Sequence, residues 1–313
     1  MPYYSVADLV KKLRTQKGMS QEDLADGIMT TSNLSRFESG LQMPQKDKLD
    51  AILQRLGVDT QETYNYYLNK RDYEIYKKCD HLKSLIAHNK NSDASILLDE
   101  LSEFPEFSEN IKKQFLMSCK AAIMVNLGEN NDKIRKLAIQ ALLLTVPTYY
   151  DKYISEYYLS DQEARLINIL AITYYNENNL EKTIKLMDDL KTSIETMRID
   201  EKHKSRIFTV ILYNLSKYLG LAKKYKEAIK ICDYSKKICI ETSNYENLPG
   251  IIYNKAYVLY ELGYKDVCER LIYIAYDMLE GMERYKERDI VKDYAKDRMG
   301  IVIEVKGKQD NGY

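Results

Sequence analysis

The chain has 313 residues, and its 47 basic side chains balance 47 acidic ones. This length allows about two domains. Residues 1–60 hold eight basic and eight acidic side chains, a balance that gives only weak non-specific attraction to a nucleic acid. With only 12 Gly and 5 Pro, the sequence has few residues for the turns of an all-β fold. We therefore expect an all-α protein.

The cysteines and histidines show no spacing typical of a metal or catalytic site. The five Cys include no C-x-x-C pair, and Cys232 and Cys239 share one helix face, which favours packing over metal binding. The sequence contains no catalytic triad, phosphate-binding loop or ordered carboxylate pair. Its start lacks a signal-peptide pattern, and no apolar run reaches membrane length. We expect a reduced, cytoplasmic protein that is not an enzyme, uses no metal or cofactor and contacts no membrane.

The first sixty residues have the pattern of a small helical bundle. A first apolar helical stripe ends at Gly18. Ser20 predicts the N-cap of a second helix, with Asp23 completing an imperfect capping box, and Thr30 predicts the N-cap of a third. A fourth amphipathic helix follows Pro44. Two short helices joined by a tight turn predict a helix-turn-helix, which places one helix in the major groove of DNA.

Residues 5–59 resemble the Xre/Cro/C1-type helix-turn-helix family. The resemblance rests on S-Q-x-x-L-A, on L-S-R-F-E-S-G and on a last amphipathic helix that ends in L-G-V. In that family the second residue of helix two contacts a phosphate, and the start of helix three reads bases. The resemblance therefore implies a backbone contact for Gln21 and groove contacts for Thr31, Ser32, Asn33 and Arg36. Arg36 is the strongest candidate because a guanidinium can bond both acceptors of guanine.

Structural roles compete with these assignments. Thr31 and Ser32 lie in the first turn of the third helix, where they also fit exposed caps, and Gln21 also fits a solvated helix start. The resemblance further implies an ion pair between Arg14 and Glu38 that ties the first helix to the third.

The turn before the third helix indicates one branch of this family. The segment between Ala25 and Leu34 is one residue shorter than in most members of the family, which is similar to the Rgg and PlcR branch of peptide-sensing regulators. Residues 61–89 then form a polar, Tyr-rich helical stretch without Gly, Pro or Ser runs, and we expect a stiff linker helix.

From residue 90 to 306, amphipathic helices alternate with short polar turns. Leu180, Tyr225 and Tyr264 each begin the helix after such a turn, at spacings of 45 and 39 residues. This degenerate period predicts tetratricopeptide-like repeats, although they are longer than the usual ~34 residues. Such repeats stack into an α-solenoid with a concave face suited to an extended peptide. Residues 307–313 predict a flexible tail.

Three asparagines occupy nearly the same place in successive repeats: Asn168, Asn214 and Asn254. A primary amide can bond both the C=O and the N–H of an extended peptide. A row of them would read main chain, while neighbouring Tyr and aliphatic residues would read side chains. The alternative is that these residues merely cap helices or lie exposed.

The whole chain resembles the RRNPP family of quorum-sensing regulators, in which a small helix-turn-helix domain precedes tetratricopeptide-like repeats. The resemblance implies a cytoplasmic homodimer that binds double-stranded DNA and a short signalling peptide, with Asn residues of the repeats contacting the peptide backbone. A second hypothesis makes the repeats a scaffold for a protein partner. A third, a peptide-controlled enzyme, has no supporting residues in the sequence.

Overall fold

The computed structural model is all-helical over the residues that it describes, which confirms the predicted fold class. These residues are 6–56, 70–150, 153–157, 159–196 and 201–303. The predicted tail and the first nine residues of the predicted linker lie outside them.

The chain divides into two compact units, Met1–Phe104 and Pro105–Tyr313. The described helices of the first unit are α1 (Val6–Gln16), α2 (Gln21–Ala25), α3 (Thr31–Glu38), α4 (Lys46–Arg55), α5 (Lys70–Ala87) and α6 (Asn91–Ser102). The described part of the predicted linker is thus helix α5 followed by a turn, and α5 packs against α6 within the first unit. The sequence-based bounds at 60, 89 and 306 stay predictions.

Helices α1 to α4 enclose one apolar core, in which Leu24, Leu34, Ile52 and Leu53 are fully buried. Both predicted N-caps are present. The Ser20 hydroxyl accepts a hydrogen bond from the Asp23 amide, and the Asp23 carboxylate accepts one from the Ser20 amide, so the capping box is complete. At the start of α3, the Thr30 hydroxyl accepts a hydrogen bond from the Asn33 amide.

The turn between α2 and α3 is stabilised from α4. Gly27 has φ +68°, a conformation that strains residues with a side chain. Nη1 of Arg55 donates to the carbonyls of Asp23, Leu24 and Asp26 at 3.3, 3.1 and 2.6 Å. One guanidinium therefore satisfies carbonyls at the end of α2 that have no partner within that helix.

In the described residues of the second unit, nine helices follow a short 3-10 helix at Pro105–Ser108. They are α7 (Asn110–Asn126), α8 (Asn131–Leu143), α9 (Asp161–Asn176), α10 (Leu180–Glu195), α11 (Glu201–Leu221), α12 (Tyr225–Glu241), α13 (Leu248–Glu261), α14 (Lys265–Gly281) and α15 (Tyr285–Met299). A second 3-10 helix, Ile154–Glu156, precedes α9. Consecutive helices pack as antiparallel pairs, and the first helices of neighbouring pairs also touch: α7 packs on α9, α9 on α11, and α11 on α13. This is the stacking expected of a helical repeat.

The turn inside each pair repeats one geometry. Gly128, Asn178, Lys223 and Gly263 all have left-handed φ values, between +60° and +87°. The residue after each donates its amide hydrogen bond to a carbonyl five residues back, as in a Schellman motif. Helices α10, α12 and α14 then start two residues after the left-handed residue. The structural equivalent of Leu180 and Tyr225 is therefore Lys265, one residue later than the predicted Tyr264.

A buried polar chain joins three helices at the start of the second unit. Nε2 of Gln114 in α7 donates to the Ala141 carbonyl at 3.0 Å and to Oγ1 of Thr145 at 2.5 Å. The Thr145 hydroxyl donates to Oε1 of Glu163 in α9 at 2.6 Å. Glu163 also accepts from the Ser160 amide in a capping box. The Thr145 hydroxyl is thus the link between a buried amide and a buried carboxylate.

The substitution Thr145→Val tests this link. It keeps the side-chain shape but leaves Gln114 and Glu163 each short of a partner, so we expect the free energy of unfolding to fall by about 2 kcal/mol. Urea denaturation followed by circular dichroism measures it. The exposed Thr148→Val is the matched control, expected to change stability by less than about 0.5 kcal/mol. Equal effects of the two substitutions would contradict the assignment.

Candidate functional site

The exposed face of α3 carries all four predicted groove residues. Thr31, Ser32, Asn33 and Arg36 are all exposed, while Leu34, Phe37 and Glu38 of the same helix are buried. Thr30 supplies the cap, so Thr31 and Ser32 follow as the first two helical residues. Among the described residues, the Arg36 guanidinium forms no ion pair. Its five N–H donors are therefore available to an external acceptor.

The predicted ion pair between Arg14 and Glu38 is present and has further partners. Nε and Nη2 of Arg14 donate to the two carboxylate oxygens of Glu38 at 2.6 and 2.9 Å. Nη1 of Arg14 donates to the Met19 carbonyl at 2.8 Å. Nε2 of Gln21 donates to Oε2 of Glu38 at 2.8 Å. The pair thus ties α1 to α3, and it also orients the Gln21 amide for which the sequence predicts a phosphate contact.

This network sets the pKa of Glu38. Burial alone raises the pKa of this carboxyl, but the hydrogen bonds from Arg14 and Gln21 and the Arg14 charge outweigh it. The pKa of Glu38 therefore lies below its ordinary value of 4.5. Hydrogen bonding of the Arg14 guanidinium to the same carboxylate, followed by the attraction of the carboxylate charge, raises the pKa of Arg14 despite burial.

The second unit contains a cavity of about 630 Å³. Three first helices form most of its wall, and each contributes a face at helical spacing. The lining residues are Tyr213, Ser216, Lys217 and Leu221 of α11, Gly250, Tyr253, Asn254, Tyr257 and Glu261 of α13, and Glu287, Ile290, Val291, Tyr294 and Arg298 of α15, with Tyr175, Glu246, Asn247, Leu279 and Arg284 completing the wall. The volume lies in the range of small-ligand sites.

Five tyrosines give the cavity its apolar surface together with hydroxyl groups. Burial is the largest cause that raises the pKa of Tyr213, Tyr253 and Tyr257. These phenols therefore stay protonated at neutral pH, and each offers a donor and an acceptor. Tyr213 lies tightly against α13: a Cβ on Gly250 would be 2.5 Å from Cε2 of its ring. The absence of a side chain at Gly250 is thus what allows this ring to occupy its place.

The charged residues of the wall differ in their partners. Nη2 of Arg284 donates to Glu287 at 3.0 Å and its Nη1 donates to the Glu246 carbonyl at 2.5 Å. Glu261 accepts a hydrogen bond from the Tyr225 hydroxyl at 3.2 Å. Lys217 has no carboxylate partner among the described residues. Its Nζ lies 5.0 Å from the centre of the Tyr175 ring.

The three predicted asparagines do not form a free row on this wall. Only Asn254 lines the cavity, and its Nδ2 already donates to the Tyr213 carbonyl and to the Ser216 hydroxyl, both at 2.9 Å. Nδ2 of Asn214 donates to Oδ1 of Asn168 at 2.9 Å. Each bond connects the first helices of neighbouring pairs. The register also differs, because Asn214 and Asn254 lie nine residues before their left-handed turn residue, whereas Asn168 lies ten before Asn178.

Cysteine packing agrees with the sequence expectation. None of the five Cys forms a disulfide in the described residues, and Cys232 and Cys239 are buried. Burial, as the largest cause, raises the pKa of these two thiols to about 12 and about 11. In the part of the chain that the structure describes, no group of His, Cys, Asp and Glu is arranged to hold a metal ion. None of the described helices has the length and apolar character needed to span a bilayer.

One family model and several solved structures match this chain. Residues 10–63 match the helix-turn-helix family HTH_3. The chain thus contains a helix-turn-helix domain of this family over these residues. No curated protein matches the sequence.

Solved structures match nearly the whole chain in fold. PlcR from Bacillus thuringiensis, solved with the peptide PapR7 and DNA, gives a TM-score of 0.66 at 19% identity, over 92% of this chain and 99% of PlcR. The pheromone receptor Rgg2 from Streptococcus dysgalactiae gives 0.59 at 13% identity, over 95% and 100% of the two chains. ComR from S. thermophilus, solved with DNA and its signalling peptide ComS, gives 0.55 at 15% identity, over 92% and 98%. The predicted resemblance to peptide-sensing regulators of this group is confirmed in the helix-turn-helix and in the fold.

A pattern in the sequence of α11 indicates the cavity wall, at positions other than the three predicted asparagines. Tyr213, Lys217 and Leu221 recur every four residues in α11, so they share one helix face. An aromatic, a cationic and an aliphatic residue on one face is an unusual mixture for a core stripe. Lys217 and Gly250 were nevertheless not predicted as site residues, because a single Lys or Gly in a helix most often has no special role.

The Arg14–Glu38 pair gives a prediction about acid stability. Because the folded-state pKa of Glu38 is lowered, its contribution is complete above its ordinary pKa of 4.5 and is lost as pH falls through the lower, folded-state pKa. We expect Glu38→Gln to lower the free energy of unfolding by about 2 kcal/mol at neutral pH. The difference from the natural protein should shrink at pH values below 4.5.

Thermal unfolding of both proteins across this pH range is the measurement. Glu22→Gln, at an exposed position of α2, is the control and should show little change at any pH. A difference that stays constant with pH would show that Glu38 does not act through its charge.

Proposed function

We propose that this protein is a transcription regulator that binds DNA sequence-specifically through α3, and that a short signalling peptide, bound in the cavity of the repeats, controls it. The observation that carries the proposal is the cavity itself: it is lined by five tyrosines and by faces of three successive first helices. Concave surfaces of stacked helical repeats suit extended peptides. The fold of PlcR and ComR, both solved with DNA and a peptide, supports the same assignment.

The DNA part of the proposal rests on the exposed side of α3. Arg36 would read guanine, with Thr31, Ser32 and Asn33 contacting neighbouring bases or phosphates. Gln21 keeps one amide hydrogen beyond its bond to Glu38, and we assign that hydrogen to a phosphate. A single recognition helix reads a short site, and we therefore also propose a homodimer that spans two half-sites about one helical turn apart.

The peptide part rests on hydrogen-bonding groups within an aromatic wall. The tyrosine rings offer apolar surface to peptide side chains, and their hydroxyls offer donors to peptide carbonyls. The Asn254 amide group spends both N–H donors on α11, so its oxygen is the group that we assign to a peptide N–H. For Asn168 and Asn214 the mutual hydrogen bond favours a different role, which is to position α9 against α11.

A protein partner in place of a peptide is the second candidate. The experiment that separates the two is affinity selection with the full-length regulator. One arm uses a pool of synthetic apolar heptapeptides, and the other uses folded protein fractions. Retention of peptides by the regulator supports the peptide assignment, whereas retention of folded proteins alone supports the alternative.

The role of Arg36 predicts a specific loss in Arg36→Lys. The lysine keeps the positive charge but cannot make the bidentate contact to guanine, a contact worth about 1–3 kcal/mol of base discrimination. We expect affinity for a site selected from random DNA to fall about ten-fold or more, with affinity for unrelated DNA nearly unchanged. Fluorescence anisotropy with both DNAs measures this. An equal loss on both DNAs would indicate a phosphate contact instead.

The cavity predicts a contrast between two glycine substitutions. In Gly250→Ala the new methyl group displaces the Tyr213 ring, because the Cβ would lie 2.5 Å from it. We expect affinity for a peptide selected from the heptapeptide pool to fall about ten-fold or more. In Gly281→Ala the new Cβ meets no atom within 4 Å, so peptide affinity should stay unchanged. Isothermal titration calorimetry on both variants provides the test, and unchanged affinity in Gly250→Ala would exclude this cavity as the binding site.

A further inference from the structure

Lys217 is an ammonium group that is half-buried in the cavity wall without a carboxylate partner in the described residues. Its Nζ lies 5.0 Å from the Tyr175 ring centre and 5.8 Å from that of Tyr218. The two rings pack against each other, with centres 4.9 Å apart. They form an aromatic corner under the ammonium group, at a distance typical of cation–π contact.

The burial of the charged Lys217 ammonium group is energetically unfavourable. Burial lowers the pKa of Lys217, and no neighbouring carboxylate offsets that shift. Removing an ammonium group from water without a counter-charge is unfavourable, and an aromatic ring compensates only partly. A methionine would fill the same space without this cost. The ammonium group is therefore better explained by a ligand than by the stability of the fold.

The other charges of the wall do not share these properties. Arg284 is held by Glu287 and by the Glu246 carbonyl. Arg298 is exposed, so its charge remains hydrated. The Glu261 carboxylate accepts a hydrogen bond from Tyr225. Of the three cations that line the cavity, Lys217 is thus the one that is partly desolvated and lacks a carboxylate partner among the described residues.

We propose that Lys217, whose ammonium group lies over the rings of Tyr175 and Tyr218, binds a carboxylate of the peptide on its cavity side. This inference rests on the proposed peptide-binding function. A carboxylate would supply the missing counter-charge, and a charge-assisted hydrogen bond in a partly desolvated site is stronger than one in water. The carboxylate comes either from the peptide's C-terminus or from an Asp or Glu side chain. The chemistry at Lys217 is the same in both cases.

The experiment uses full-length regulator and synthetic heptapeptides in four sets. The sets carry either a free C-terminal carboxylate or a C-terminal amide, and they either contain or lack Asp and Glu. Affinity selection followed by mass spectrometry identifies retained peptides, and calorimetry gives their affinities. This arm needs no variant. Preference for free acids identifies the C-terminus, and preference for Asp or Glu irrespective of amidation identifies a side chain.

Variants then assign the preference to Lys217. We expect Lys217→Met to weaken binding of a retained peptide about ten-fold or more and to abolish the carboxylate preference. Lys217→Arg should restore much of both. Since the methionine removes a poorly solvated charge, the thermal midpoint should stay equal or rise. Lys226→Met, at an exposed position that does not line the cavity, is the matched control and should change neither affinity nor preference.

Two failures are distinguishable. If the natural protein retains peptides but shows no carboxylate preference, or if Lys217→Met binds them equally well, the inference about Lys217 is overturned while peptide binding stands. If the natural protein retains no peptide from any set, the proposed function is overturned and the inference with it.

Discussion

Helices α11 and α13 approach closely because glycine lies at two of their contact points. A Cβ on Gly220 would be 3.1 Å from a methyl carbon of Val258, and one on Gly250 would overlap the Tyr213 ring. Asn254 adds hydrogen bonds across the same contact. This contact fixes the distance between two walls of the cavity, and it holds Tyr213 against the helix that carries Tyr253 and Tyr257. The shape of the cavity therefore follows from where side chains are missing as much as from those present.

The helix-turn-helix shows how much a local motif determines. The helix caps and the turn glycines depend on residues a few positions apart, and the Arg14–Glu38 pair belongs to one family motif. These features could therefore be predicted from the sequence. The contribution of Arg55 was not predicted, since its guanidinium reaches three carbonyls some thirty positions earlier in the chain. No periodicity records such a contact. The same holds for the second bond of Glu38, from Gln21, which gives a predicted DNA contact a structural role as well.

The repeats show where sequence reasoning fell short. Three asparagines at similar offsets suggested a row of free amides, yet Asn168 lies one residue further from its turn than Asn214 and Asn254 do. A shift of one residue rotates a side chain by about 100° around a helix. Two of the amides pair with each other, and the third bonds the preceding helix. The hydrogen bonds found for all three amides are to the protein itself, and a contact with a peptide backbone stays a prediction.

The internal hydrogen bonds of the asparagines are compatible with ligand binding in the cavity. A ligand in the cavity would touch side chains from α11, α13 and α15. Helices α11 and α13 pack through the two glycine contacts, through the hydrogen bonds of Asn254 and through an apolar core that includes Val258. Because the first helices of successive pairs contact one another from α7 to α13, a small change of angle at one contact adds to those at the next. In the proposed binding mode, Lys217 and Gly250 therefore act differently at α11. Lys217 would supply an attraction that exists only with ligand, whereas Gly250 sets the geometry of the wall before ligand arrives.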